Sequence, residues 1–214
     1  MTLPAASDLH ATWARIGGWA GVVAVASYLA AAFVPMPDVL TLTAAFAFGP
    51  LLALGCVGLH RASPEWSGRP LTQIAAGLAV AAGATVLSML SVQQAVFAAL
   101  QDLRSARASD GGAGVDALAA LGNAVHLGLD VAWDVLISSA VILFGVAMLS
   151  RSGMGRIMGG LGIALGALLL GFNLWYFPEP PASANSVDWG PFVALWLLAI
   201  FAMLAARRRW LVGR

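Results

Sequence analysis

The sequence predicts an all-α, polytopic membrane protein, and three observations support this fold class. Of its 214 residues, 60% are hydrophobic and 10% are charged, whereas a soluble chain needs far more charge to cover its surface. Apolar runs of about twenty residues, the length that crosses a bilayer as a helix, recur along the chain. Segments rich in Pro, Gly and Ser separate these runs. We therefore predict a single transmembrane domain over residues 1–214.

Six apolar runs predict a bundle of six spanning helices. The first run is too long for the hydrophobic part of a cleaved signal peptide, so we expect the protein to keep it as a helix. The predicted spans are residues 15–35, 39–60, 70–100, 117–150, 155–177 and 188–206.

Arginine positions orient the predicted bundle, since the chain contains no lysine. With a cytoplasmic N-terminus, only Arg104 and Arg107 fall on outer segments. The other arginines fall on inner segments, and they are Arg15, Arg61, Arg69, Arg151, Arg156, Arg207, Arg208, Arg209 and Arg214. The positive-inside rule then predicts a plasma-membrane protein with both termini in the cytoplasm.

The third and fourth predicted helices are longer than a bilayer requires. Counting about twenty residues outward from Arg151 places the outer membrane boundary near Val131. We therefore predict that both helices extend beyond the outer surface as a hairpin, which the glycine-rich segment SDGGAGVD connects.

One side of the fourth predicted helix is polar. At 100° per residue, five polar side chains share a sector of about 120°, which must face protein or water rather than lipid. They are Asn123, His126, Asp130, Asp134 and Ser138. Two carboxylates four residues apart repel each other unless one is protonated, a cation lies between them, or the histidine is charged. This polar stripe is thus a candidate proton- or cation-binding site. The alternative is that its acids face solvent at the helix top and hydrogen-bond to neighbouring helices.

Further polar residues are predicted at the same outer level, where an acid-rich mouth would attract cations. These supporting candidates are Gln94, Gln101, Asn173, Tyr176, Glu179 and Asp188. No cofactor is predicted. A divalent cation on His126, Asp130 and Asp134 is a weak alternative, because ligands at i, i+4 and i+8 spread over about 12 Å of helix.

Two kinds of partner follow from the composition besides the lipid bilayer itself. A stripe of small residues lets helices approach closely in lipid, so we predict a contact with a second copy or a membrane-protein partner there. The stripe lies on the fifth predicted helix and consists of Gly155, Gly159, Gly162 and Gly166. Nucleic acid is excluded as a partner, because the net charge is +1 and no basic face is present.

Three motifs give the chain a family resemblance. A His/Asp/Trp stretch, HLGLDVAWDVL, opens the fourth helix, a short Arg-Gly turn ends AMLSRSGMGR, and a Pro-rich loop precedes DWGPFVALW. Over residues 120–206 the chain resembles uncharacterised bacterial six-helix integral membrane proteins of a domain-of-unknown-function family. The resemblance implies a membrane location and six helices, and it brings no activity with it.

Three functional classes stay open. We favour an accessory membrane subunit, in which the projecting hairpin binds a partner and no catalysis is needed. The first alternative is a small proton- or cation-coupled transporter or channel that uses the polar stripe. The second alternative is a membrane-embedded, metal-dependent enzyme with an outward-facing site.

Overall fold

The secondary structure of this protein is helical. The computed structural model describes residues 6–106, 113–151, 153–181, 184–208 and 211, and there is no strand among these residues. The helices in these ranges, in chain order, are α1 (Ala6–Phe33), α2 (Asp38–Arg61), α3 (Pro64–Ser67), α4 (Pro70–Ala106), α5 (Ala113–Leu149), α6 (Met154–Tyr176) and α7 (Gly190–Ala205).

Five of these helices, α1, α2, α4, α5 and α6, are long and apolar enough to cross a membrane. Helix α7 is also apolar but has only 16 residues, or about 24 Å at 1.5 Å per residue. The architecture agrees with a polytopic helical membrane protein. A helix lies at each of the six predicted positions, while six spans and the orientation of the termini stay predictions.

The helix bounds differ most from the prediction at three ends. Helix α1 begins at Ala6 rather than at residue 15, α4 continues to Ala106 rather than to residue 100, and α5 begins at Ala113 rather than at residue 117. The short helix α3 was not predicted. It forms because Ser63 caps its first turn by accepting a hydrogen bond from the Trp66 backbone N–H at 3.3 Å, and because Pro64 suits the first helical position.

The six longer helices form a closed ring, in which each contacts the next in the order α1, α2, α4, α5, α6 and α7, and α7 returns to α1. Large apolar side chains fill the interior of this ring. The Phe201 ring of α7 lies against Gly21 of α1 and Gly55 of α2, where a side chain on either glycine would overlap it. Helix α7, although short, therefore completes the ring, and its Phe201 side chain packs in the interior against α1 and α2.

Backbone-to-backbone contacts between glycines form three of the seams in this ring. A Cβ atom added to Gly83 would lie 2.5 Å from the Gly49 carbonyl oxygen, which is far inside van der Waals contact. Such close approach maximises dispersion contacts between helices in lipid. The glycine pairs are Gly17 with Gly58 between α1 and α2, Gly49 with Gly83 between α2 and α4, and Gly145 with Gly159 between α5 and α6.

The glycine stripe predicted as a partner contact is buried inside the chain. All four of its members, Gly155, Gly159, Gly162 and Gly166, are buried. The Trp196 indole of α7 lies against Gly162, and Ile142 of α5 lies against Gly166. Helices of the same chain thus cover Gly159, Gly162 and Gly166. A contact of this protein with a second copy or a membrane-protein partner stays a prediction.

A polar network ties α3 to the loop between α5 and α6. Arg151 pairs with Glu65 at 2.9 Å and donates a hydrogen bond to Ser63 Oγ at 3.3 Å. Its guanidinium carbon lies 5.6 Å from the centre of the Trp66 ring, which is itself fully buried. Arg69 pairs with the same Glu65. Arg69 also donates a hydrogen bond to Ser150 Oγ at 3.0 Å, so Arg151 and Arg69 together join the two loops at this end of the bundle.

We expect Arg151→Ala to lower the free energy of unfolding by about 1–2 kcal/mol, because it removes a cation–π contact and a half-exposed ion pair. Denaturant titration in mild detergent, followed by circular dichroism, measures this change. Arg156→Ala is the matched control, since Arg156 is exposed at the start of α6, and its effect should stay within about 0.5 kcal/mol. Equal effects of the two substitutions would contradict the role given to Arg151.

Candidate functional site

Asp134 of α5 is the one buried acid among the described residues, with 6% of its surface exposed. Asn173 of α6 is fully buried beside it and donates from Nδ2 to Asp134 Oδ2 at 3.0 Å. The same amide nitrogen donates to the Leu169 carbonyl oxygen at 3.0 Å. Asp134 Oδ1 and Asn173 Oδ1 are buried without a hydrogen-bond partner among the described residues. The pair therefore retains free acceptor capacity inside the protein.

Helical periodicity brings this carboxyl group into the interior. Ser138, one turn further along α5, is fully buried, and its hydroxyl donates to the Asp134 backbone carbonyl at 2.6 Å. Since the serine bonds to its own helix backbone, it leaves the Asp134 carboxyl group untouched. Among the described residues, Asn173 is the one side chain that donates a hydrogen bond to the Asp134 carboxyl group, and Asp134 Oδ1 has no donor.

The side chains of the polar stripe become more exposed towards the N-terminal end of α5. Asp130 and His126 are half-buried, and Asn123 is exposed. The Nδ1 atom of His126 is buried without a partner in the described part of the chain. Asp130 lies close enough to interact electrostatically with His126 and Asp134. The polar stripe thus has a buried part at Asp134 and Ser138 and a more accessible part at its other members.

A cavity of about 280 Å³ lies beside Asp130, between α1, α2, α4 and α5. Three aromatic side chains, Tyr28, Phe48 and Trp133, form part of its wall. The Tyr28 and Phe48 ring centres are 5.1 Å apart, and Phe48 meets Trp133 edge-on at 6.0 Å. Because Tyr28, Asp130 and Thr41 in this lining are partly exposed, the cavity communicates with the protein surface.

Sequence reasoning missed this cavity, because its aromatic wall comes from three helices far apart in the chain. Nothing in the pattern around Tyr28 or Phe48 distinguishes them from ordinary core aromatics. Trp133 had a local signal, since it stands directly between the two acids of the HLGLDVAWDVL motif.

The supporting candidates from the sequence separate into two groups. Asn173 joins the site directly, and Asp188 lies within electrostatic range of Asp130 and Asp134 although it is itself exposed. Tyr176 is half-buried and packs against Phe172, with ring centres 6.2 Å apart. The remaining candidates are exposed and make no hydrogen bond to the polar stripe, and they are Gln94, Gln101 and Glu179.

The described residues include no group of three His, Cys, Asp or Glu side chains arranged to hold a metal ion. Asp134 is hydrogen-bonded to Asn173 of α6, whereas Asp130 lines the cavity that α5 forms with α1, α2 and α4. His126 lies a further turn away along the helix axis. The weakly predicted divalent-cation site on these three side chains gains no support from their arrangement.

Comparison with protein-family models, with curated proteins and with solved structures finds no match to this chain. The resemblance of residues 120–206 to uncharacterised six-helix membrane proteins therefore stays a prediction. The geometry of the buried Asp134–Asn173 pair and of the neighbouring aromatic cavity is what bears on function.

Proposed function

We propose that this protein is a small membrane carrier that exchanges a proton on Asp134 for a cation bound beside Asp130. The supporting observation is the buried Asp134 carboxyl group, with one oxygen hydrogen-bonded to Asn173 and the other without a partner in the part of the chain that the structure describes. A lone carboxylate inside a membrane protein is costly unless a proton or a cation neutralises it. Acids placed in this way commonly mark proton relays and ion pathways.

The spacing of the two acids supplies a coupling mechanism. Carboxyl groups four residues apart on a helix lie about 6 Å from each other. Two like charges at that distance repel by about 3 kcal/mol at an effective dielectric constant of 20. A cation on Asp130 cancels this repulsion and also repels the proton on Asp134. Cation entry therefore favours proton release, which is the exchange that a coupled carrier requires.

Other titratable groups lie near the same pair and enter the proposal. His126 precedes Asp130 on α5, while Asp188 before α7 interacts with both acids. Tyr28 of α1 lies in the same electrostatic environment. A cation that enters the site meets two carboxyl groups and one further acid, so the local field favours positive charge.

The proposed orientation places this site towards the outer surface, with α7 as the sixth span and both termini in the cytoplasm. The arginine distribution supports it, although Arg107, Arg209 and Arg214 lie outside the described residues. Helices α4 and α5 have 37 residues each, or about 55 Å of helix against about 30 Å of hydrocarbon. The excess length supports the proposal that both helices project beyond the outer membrane surface.

The test is proton movement in vesicles. Purified protein is reconstituted in liposomes that enclose a pH-sensitive dye, and gradients of NaCl, KCl and tetraethylammonium chloride are imposed in turn. We expect at least one cation to drive proton movement in the wild type. Asp134→Asn should abolish that movement while the variant still expresses and reconstitutes, because an amide cannot exchange a proton.

Asp116→Asn is the matched control for this experiment, since Asp116 is an exposed acid at the start of the same helix, and its vesicles should behave like the wild type. The proposal is wrong if wild-type vesicles match protein-free vesicles for all three cations. It is equally wrong if Asp134→Asn vesicles move protons as fast as the wild type.

The partner-binding accessory subunit remains a second candidate because of one observation. Apolar side chains are exposed on the parts of α4 and α5 that lie more than about twenty residues from Arg69 and Arg151; they are Val92, Phe97, Leu118, Leu121 and Val125. An apolar patch outside the membrane marks an interaction surface. Stoichiometric co-purification of a second membrane protein in mild detergent would favour this candidate over the carrier.

A further inference from the structure

We propose that the cavity beside Asp130 binds a small organic cation, an ammonium group carried on an apolar or aromatic body. This inference rests on the proposed function and specifies the class of cation. The observation behind it is the juxtaposition of one carboxylate with the rings of Tyr28, Phe48 and Trp133 in the wall of a single cavity. The alternatives for this cavity are an inorganic ion, an anion and a neutral ligand.

An inorganic ion does not suit this lining. Hard cations such as Ca²⁺ require six to eight oxygen ligands, and Mg²⁺ requires six. The polar groups in the cavity wall are one carboxylate from Asp130, the Tyr28 hydroxyl and the Thr41 hydroxyl. The Thr41 hydroxyl lies 3.4 Å from the backbone carbonyls of Met36 and Pro37 and points its donor at them. A bare ion would lose its water here without gaining enough ligands.

Charge excludes an anion, because Asp130 forms part of the wall and Asp134 and Asp188 lie within electrostatic range of it. A neutral apolar ligand would leave the half-buried Asp130 carboxylate facing it without compensation, which is unfavourable. An organic cation satisfies both parts of the wall. Its charged group pairs with the carboxylate, and its apolar body covers the aromatic rings.

The aromatic rings also attract positive charge directly. A cation within about 6 Å of a ring centre is drawn to the negative face of the ring, and recognition of quaternary ammonium groups relies on this effect. Phe48 lies between Tyr28 and Trp133, with ring-centre distances of 5.1 and 6.0 Å. The three rings form a continuous aromatic surface in the wall of the cavity that Asp130 also lines. Phe48 is nearly fully buried, so it is the fixed part of that surface.

The cavity volume limits the size of the cation. The value of about 280 Å³ lies just under the range of about 300–1,000 Å³ that drug-sized ligands occupy. At about 30 Å³ for each water molecule in the liquid, it corresponds to roughly nine waters. A ligand with about ten non-hydrogen atoms therefore suits the site.

The experiment compares two probes with one skeleton, 2-phenylethylamine, which is protonated at pH 7, and 2-phenylethanol, which is neutral. Isothermal titration calorimetry of the full-length protein in detergent measures both affinities. We expect the amine to bind at least about tenfold more tightly than the alcohol, because only the amine pairs with Asp130. Asp130→Asn should remove this preference by weakening amine binding about tenfold and leaving alcohol binding unchanged.

Two further variants keep the test decisive. Phe48→Leu should weaken amine binding about fivefold, because it removes one cation–π surface but keeps an apolar wall. Asp116→Asn should leave amine binding unchanged, because that exposed acid lies outside the cavity. The inference is overturned if the wild type binds neither probe, if it binds both equally, or if Asp130→Asn, eluting as a monodisperse peak on size exclusion, keeps the wild-type amine affinity.

The binding and proton-movement experiments together distinguish failure of the organic-cation site from failure of the proposed carrier function. Proton exchange that Asp134→Asn abolishes, together with absent amine binding, would overturn the organic-cation site alone. Amine binding that depends on Asp130, together with unchanged proton movement in Asp134→Asn vesicles, would overturn the carrier alone.

Discussion

Gly83→Ala is expected to lower the free energy of unfolding by about 2–3 kcal/mol, the upper range for overpacking a tight contact. The added methyl group would lie 2.5 Å from the Gly49 carbonyl oxygen and 3.3 Å from the Ala53 Cβ atom. The first of these neighbours is helix backbone, which cannot move aside as a flexible side chain does. Helices α2 and α4 would have to separate along the whole seam.

Gly77→Ala on the same helix is the control for this prediction. A Cβ atom at Gly77 would meet nothing within 4 Å, so alanine there should stabilise α4 by about 0.5–1 kcal/mol through its higher helix propensity. Denaturant titration of both variants in mild detergent should therefore move the unfolding midpoint in opposite directions. Shifts in the same direction would show that the close glycine contact of α2 and α4 does not govern stability.

Asn173→Leu is expected to cost about 2–3 kcal/mol, because it leaves the buried Asp134 carboxyl group without its hydrogen bond. The loss of stability should be larger in the single variant than in a double variant that also lacks the Asp134 carboxyl group. Asp134→Leu combined with Asn173→Leu removes both polar groups, leaves no unpaired oxygen and should recover most of the stability. A double variant as stable as the wild type would show that the pair is not retained for stability, as expected of a functional site.

The unfolding transition of the single and double variants, measured in the same detergent, checks this prediction. Additive losses in the double variant would mean that the two side chains contribute separately to packing, and they would contradict a coupled pair. Leu170→Ala is a suitable control on α6, since Leu170 is only half-buried, and it should show a smaller loss with no dependence on Asp134.

The fold class followed from the sequence because lipid leaves few choices. A backbone in hydrocarbon must satisfy its own hydrogen bonds, so apolar runs about twenty residues long form helices. Each of the six predicted runs coincides with a helix in the structure. The short helix α3 was missed, because a four-residue helix depends on a local cap at Ser63 and on the burial of Trp66 rather than on hydrophobic periodicity.

The candidate site followed from the sequence only in part. Helical geometry is local, so the shared face of His126, Asp130 and Asp134 was predictable from the residue spacing alone. Asn173 was predicted at the same level of the membrane, but its hydrogen bond to Asp134 depends on the register of α6 against α5. That register follows from the close contact of Gly145 with Gly159, which no single helix specifies by itself.

The sequence by itself determined that this protein is helical, apolar and polytopic, and that α5 carries one polar face. Those properties depend on neighbours within one or two helical turns, and they can be counted along the chain. Only the tertiary structure decided that side chains of α5 and α7 pack on the glycine stripe of α6. It also decided that Arg151 joins two loops, and that Tyr28, Phe48 and Trp133 line one cavity with Asp130. Each of these contacts joins residues that are distant in the sequence, and the close packing of the whole ring determines which residues meet.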